Sequence, residues 1–133
     1  MYECQLKTRR RVEMINITRE VEDEVRRRNI RDGLCIVYCP HTTAAITINE
    51  AADPDVARDI AAVLERLAPH RGDYAHAEGN SDSHIKTALL GPSQAIIVRD
   101  GRLALGQWQG IFFCEFDGPR DRRFFVKTLQ DNS

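Results

Sequence analysis

The run Leu34-Cys35-Ile36-Val37-Tyr38-Cys39 constrains this chain more than any other stretch. It has the length of a strand and no polar–apolar alternation, so the expectation is a β-strand covered on both faces. Asp32-Gly33 before it reads as a turn, and Pro40-His41-Thr42-Thr43 after it turns the chain toward a second strand, Ala44 to Asn49, where Ile46 and Ile48 flank Thr47. With 133 residues there is room for one core, so these strands must belong to a single domain, residues 1–133.

The remaining elements follow from the same patterns. Tyr2 to Lys7 and Val12 to Ile17 read as extended, as do Gln94 to Arg99, Gln107 to Phe116 and Phe124 to Leu129, with Asp100-Gly101 as a hairpin-type turn. Thr18 has the chemistry of an N-cap, Ile17 that of a staple residue, and Val21 and Val25 place a narrow apolar stripe on a helix over Arg19 to Asn29. Asp53-Pro54-Asp55 is a helix start, and Val56, Ile60, Val63, Leu64 and Leu67 carry that helix to Pro69. Ser83 to Leu90 reads as a short third helix. The order ββαββααβββ predicts an α+β fold, a small, mainly antiparallel β-sandwich with two to three helices.

Charge and composition exclude several functions. The 19 basic and 20 acidic residues leave a net charge of −1, so no global field draws the chain to nucleic acid. Hydrophobic residues at 42% and charged ones at 29% are those of a globular protein, not a disordered one. No apolar run has the length of a membrane span, and Met1 to Lys7 lacks the layout of a secretion signal; the expected location is cytoplasmic, without a membrane partner. Cys4, Cys35, Cys39 and Cys114 form no C-x-x-C pair and read as reduced thiols.

The candidate chemistry is scattered. His41, His76 and His84 stand in polar settings beside element ends, and with Glu50, Glu78, Asp82 and Glu115 they could bind a divalent metal, although no metal-type histidine spacing is present. The hydroxyls of Thr42 and Thr43 either line a site or satisfy their own turn. If Ser81 or Asp82 caps the third helix, its free N–H groups, Ser83, His84 and Lys86 form an anion-binding helix end; plain capping is the competing reading. His70 to Asp82 is a long loop of the kind that often carries function. Glu115 is expected to be buried and to need a cation, with Arg120 as the candidate. Gln109 shares its strand face but lies about 20 Å away along an extended chain.

His41-Thr42-Thr43-Ala44-Ala45 with Asn49-Glu50, His76-Ala77-Glu78-Gly79-Asn80 with His84-Ile85-Lys86, Gly106-Gln107-Trp108-Gln109, and Phe113-Cys114-Glu115-Phe116-Asp117-Gly118-Pro119-Arg120 together resemble the YjbQ-like family, often labelled secondary thiamine-phosphate synthase. Gln107 departs from it, standing where the family has threonine. The resemblance implies a homotrimer with sites near subunit boundaries. It also implies a weak activity joining hydroxymethylpyrimidine diphosphate to hydroxyethylthiazole phosphate with release of diphosphate.

On that basis His41, Glu115 and Gln109 are expected at the reacting centre. Ser81, Ser83, Lys86, Thr42 and Thr43 are expected on the phosphates, and His41, His76, His84 and Asp82 on a divalent metal, magnesium or zinc. The alternatives are a non-catalytic trimer that binds a phosphorylated metabolite or metal, a metal-dependent phosphohydrolase, and a purely structural trimer.

Overall fold

The apolar run forms β3 (Gly33–Tyr38), a central strand of a five-stranded antiparallel sheet ordered β1-β8-β3-β5-β6. The computed structural model describes residues 1–132. Its other elements are β1 (Tyr2–Lys7), β2 (Glu13–Asn16), α1 (Thr18–Arg27), β4 (Ala44–Glu50), α2 (Pro54–Leu67), α3 (Ser81–Leu90), β5 (Ser93–Arg99), β6 (Arg102–Leu103), β7 (Gln109–Glu115) and β8 (Asp121–Gln130). A second sheet, β2-β7-β4, is also antiparallel. This is the α+β sandwich expected, with the two-residue β6 as an unforeseen addition.

The two sheets enclose the main core. Cys35, Val37, Ile96, Val98, Phe124 and Val126 face Ala44, Ile46, Ile111 and Phe113, and α1 closes one side with Val21 and Val25. A smaller core lies behind the three-stranded sheet, where Leu64 of α2 packs near Phe112, Cys114 and Phe116. The alternation along β7 sends Ile111 and Phe113 to one core and Phe112 and Cys114 to the other, as strand geometry requires.

Several local expectations are corrected. Thr18 is not the cap of α1: it is the first helical residue, and its N–H and hydroxyl both donate to Asn16 Oδ1 (3.0 and 2.6 Å). Its Oγ1 also accepts from the Ile111 N–H at 2.9 Å, so the hydroxyl ties the helix to β7. α3 begins at Ser81, two residues early, with no side-chain cap bond from Asn80. Gln107 and Trp108 lie in a turn before β7. At α2 the expectation holds, since Asp53 accepts from the Asp55 N–H at 2.9 Å with Pro54 first in the helix.

Within one chain the apolar run is covered on one face only. Cys35 and Val37 are buried, but Leu34 and Tyr38 are exposed, and Ile97 and Leu129 beside them in the ladder are exposed too, Ile97 by 62%. One chain therefore leaves an apolar outer face on its larger sheet. The arginines of α1 are spent locally: Arg27 and Arg28 bracket the buried Glu24 at 3.1 and 3.0 Å. All four cysteines are free, and burial pushes the Cys35 and Cys114 thiols up to about 12, which keeps them protonated. No helix is long and apolar enough to cross a membrane among the described residues.

Candidate functional site

After β3 the chain turns at Pro40, and this turn forms one wall of an open cleft of about 470 Å³. The wall carries His41, Thr42 and Thr43; the loop before α3 contributes His76, Glu78 and Asn80; α3 contributes His84; and Asp117, Arg120 and Arg122 close the remaining side. The three histidines, scattered over more than forty positions, thus line one cleft within a single chain. The rings of His76 and His84 meet edge to face, 5.5 Å between centroids, and His76 Nε2 lies 3.8 Å from Glu78 Oε2.

The far wall is a hydrogen-bonded rim. Asp117 accepts from Asn80 Nδ2 and from Arg120 Nη2, both at 2.9 Å, and Arg120 Nε donates to the Asp117 carbonyl at 2.8 Å. Asn80 is only 8% exposed, yet its Oδ1 has no hydrogen-bond partner among the described residues. A buried, unsatisfied acceptor is uncommon in a folded protein; Thr87 Oγ1 is the other such side-chain atom among the described residues.

Beneath the cleft a second network fixes the His41 turn. Glu115 is fully buried, as expected, but its cation is Arg122 rather than Arg120: Arg122 Nε and Nη2 reach the two carboxylate oxygens at 2.7 and 2.5 Å. Thr8 Oγ1 and the Asp117 N–H complete the carboxylate at 2.8 and 2.9 Å, and Arg122 Nη2 also donates to Thr43 Oγ1 at 2.7 Å. Burial works against the charged carboxylate, but Arg122, Asp117 and Thr8 together hold Glu115 below its usual range. Glu115 therefore supports the wall and does not line the cleft. Gly118 is required beside it, because a Cβ there would lie 2.2 Å from the Arg10 carbonyl.

The helix-end expectation is corrected in its parts. Asp82 is fully buried and taken by Arg11, whose Nη1 and Nη2 reach it at 3.1 and 3.0 Å, and by Lys86 at 3.1 Å; it does not line the cleft as a metal ligand would. Lys86 is 1% exposed, with its Nζ between Asp82 and Glu65 (2.6 Å), and it does not line the cleft. Ser83 Oγ donates to the Phe116 carbonyl at 2.5 Å inside the same buried network. Ser81 opens α3 but is not among the lining residues. The physical reason is periodicity: positions 82, 83 and 86 form the inward face of α3, whereas His84 looks outward to the cleft.

Gln109 is corrected as well. Its Oε1 accepts from the Gly106 N–H at 2.7 Å and its own N–H returns to Gly106 O at 3.1 Å, closing a turn at the opposite end of β7 from Glu115. His41 changes character: its Nε2 accepts from the Arg123 backbone N–H at 3.1 Å, which occupies the lone pair a metal would need. Burial first, then the Arg122 and Arg123 charges, hold the ring's pKa below its ordinary value, against smaller upward pulls from Glu115 and from the contact with the Arg123 backbone. Among the described residues no group of three or more His, Cys, Asp or Glu is placed to hold a metal ion.

Sequence reasoning missed Asn80 and Arg122. Arg122 was within reach, since it shares its parity on β8 with the core residues Phe124 and Val126 and so had to point inward. Asn80 stands at the end of the His76–Asn80 motif, but no local pattern shows its burial or its bond to Asp117, which arrives from a distant turn.

The comparisons with known proteins agree with this architecture. A family model described as UPF0047 protein YjbQ-like matches residues 2–131. A UPF0047 protein of Methanocaldococcus jannaschii is 50% identical over 131 residues, covering 98% of this chain and 95% of its own. YugU of Bacillus subtilis, also a UPF0047 protein, is 52% identical over 126 residues, covering 94% and 96%. The crystal structure of an uncharacterised YjbQ/UPF0047 protein from Clostridium acetobutylicum superposes with a TM-score of 0.96 at 54% identity, over 97% of this chain and 100% of that one. A YbjQ-like protein of unknown function from Sulfolobus solfataricus gives 0.94 at 32% identity, covering 98% and 96%. With nearly every residue inside that match, and the same fold in the solved relatives, the chain belongs to the YjbQ-like UPF0047 family.

Proposed function

We propose that the histidine cleft binds phosphorylated small molecules and supports a low-level thiamine-phosphate synthase reaction. The observation that carries this reading is the convergence of His41, His76 and His84 with Arg120 and the orphaned Asn80 on one cleft. In the reaction the C–O bond to the diphosphate breaks with its electron pair leaving on oxygen, and the thiazole nitrogen forms a C–N bond to the same carbon. No proton need be removed for that exchange. The demand on the protein is to hold and neutralise the diphosphate, for which Arg120, the Thr42 hydroxyl and imidazole N–H groups are suited.

A divalent metal belongs to this reading as a companion of the diphosphate. His76, His84 and Asn80 Oδ1 are donors of the right chemistry but too few for a closed protein site, and diphosphate oxygens would supply the rest, as magnesium is commonly held. Bound there, the ion would offset charge on the departing group.

Assembly is part of the same proposal. The outer face of the five-stranded sheet, with Leu34, Tyr38, Ile97 and Leu129 exposed, suits burial against further copies of this chain in a homotrimer. An apolar run without alternation is what a strand covered from both sides carries, and one chain covers only one side.

The test is turnover. Purified protein with both substrates and magnesium is expected to release diphosphate and form thiamine phosphate. Phosphate released without the thiazole partner would indicate a phosphohydrolase instead. A ligand-dependent rise in melting temperature with no product would leave a binding protein.

A further inference from the structure

The register of β8 against β3 ends at Tyr38 opposite Phe125. Carried two residues further it would set Pro40 opposite Arg123, but there the chain turns away and the ladder stops. The Arg123 N–H would be left without a strand partner, and the ring of the next residue takes the place of the missing carbonyl, with His41 Nε2 accepting at 3.1 Å. A backbone N–H can only donate, so Nε2 carries no proton while this bond stands, and the neutral ring must carry its proton on Nδ1. His41 Nδ1 has no hydrogen-bond partner among the described residues.

The ring is also held in place from below. Arg122, neighbour of the residue that donates to it, clamps Thr43 through both Oγ1 and O, at 2.7 and 3.4 Å, two positions beyond His41. Successive residues of β8 thus fix both ends of the His41-Thr42-Thr43 turn. Asp117 is engaged by Asn80 and Arg120 and Glu115 by Arg122; Glu78, also lining the cleft, lies 3.8 Å from His76, and Glu3 and Asp121, which share a second pocket with His41, lie 3.8 Å from Arg123 and 4.0 Å from Lys7. Partial burial, then the charges of Arg122 and Arg123, favour the neutral ring and outweigh the opposite pulls of Glu115 and the Arg123 backbone contact.

We infer that His41 is locked as the Nδ1-protonated neutral tautomer and serves as a hydrogen-bond donor to a phosphoryl oxygen of the bound ligand, not as a metal ligand or a proton acceptor. The ligand half of this statement rests on the proposed phosphate-binding cleft; the tautomer half rests on backbone geometry alone. A neutral donor polarises an oxygen where charge grows without giving up its proton, which suits a departing diphosphate.

Two measurements on the full-length protein test it. In the ligand-free protein with nitrogen-15-labelled histidine, long-range proton–nitrogen correlation at neutral pH is expected to show His41 with a protonated Nδ1 and a bare Nε2; the opposite pattern overturns the tautomer. Inorganic pyrophosphate is then titrated against wild type, His41→Asn and His41→Gln. Asparagine presents its amide N–H near the Nδ1 position, so H41N is expected to bind within about threefold of wild type. Glutamine places its donor near Nε2, so H41Q is expected to lose about tenfold or more, the range for one hydrogen bond to a charged oxygen. Equal affinities in all three remove the donor role while the cleft reading stands. Absence of pyrophosphate binding in wild type removes the cleft reading and the donor role together, and leaves the tautomer to be judged from its spectrum.

Discussion

Arg122 reaches both carboxylate oxygens of Glu115, at 2.7 and 2.5 Å, with neither side chain more than 5% exposed. Removing one partner would leave a buried charge without compensation, which costs about 3–5 kcal/mol in comparable pairs. Arg122→Met is therefore expected to lower unfolding free energy by about that amount in chemical denaturation. Arg122→Met with Glu115→Gln should recover part of it, since neither charge then remains. A loss below about 1 kcal/mol in the single variant would mean that the pair is solvated.

Acid should unfold the protein through the same groups. Glu115 lies below its usual range despite burial, and so does Asp82, where the desolvation penalty is outweighed by Arg11 and Lys86. For a carboxyl depressed on folding, the stabilisation is present above the unfolded-state pKa, about 4, and is lost as pH falls through the lower folded value. Melting temperature is expected to respond little to these two groups at neutral pH and to fall steeply below about pH 4. Glu115→Gln should melt lower at neutral pH but with a shallower acid slope; an unchanged slope would show that this carboxylate contributes nothing to acid unfolding.

The outer face of the larger sheet gives a separate prediction. Ile97→Glu places a charge among Leu34, Leu129 and the sheet surface without touching either core. Sedimentation analysis is expected to show wild type as a trimer and the variant shifted to monomer, with far-ultraviolet circular dichroism unchanged. A monomeric wild type would contradict assembly through this face.

Gln109 separates a turn residue from a catalytic one. Gln109→Ala removes the exposed bond to the Gly106 N–H and is expected to cost about 0.5–1.5 kcal/mol of stability. Pyrophosphate affinity and synthase rate should stay within about twofold of wild type; a large fall in rate with stability unchanged would restore Gln109 to the reacting centre.

The strands and helices were legible in the sequence because each rests on local signals: the Asp53-Pro54 start of α2, the Val21–Val25 stripe of α1, the Ile46-Thr47-Ile48 alternation in β4. The burial of Glu115 was legible for the same reason, as a charge in an apolar strand. Its partner was not, because Arg120 is near in sequence while Arg122 is near by strand parity. Lys86 and Asp82 misled because a helix start shows its polar residues without saying which face is inward. The register of α3, set by Phe116 and Arg11 from elsewhere in the chain, turns those two into the core and leaves His84 outside. The convergence of the histidines depends on the 68–80 loop, which has no periodicity to read.

The most direct test of the cleft is calorimetric titration of magnesium pyrophosphate into wild type and into the His76→Ala, His84→Ala double variant. Saturable binding is expected in wild type, falling at least about tenfold in the variant while its melting temperature stays near that of wild type. Undiminished affinity in a normally folded double variant would contradict the account, because the ligand would then be binding somewhere other than between these two rings.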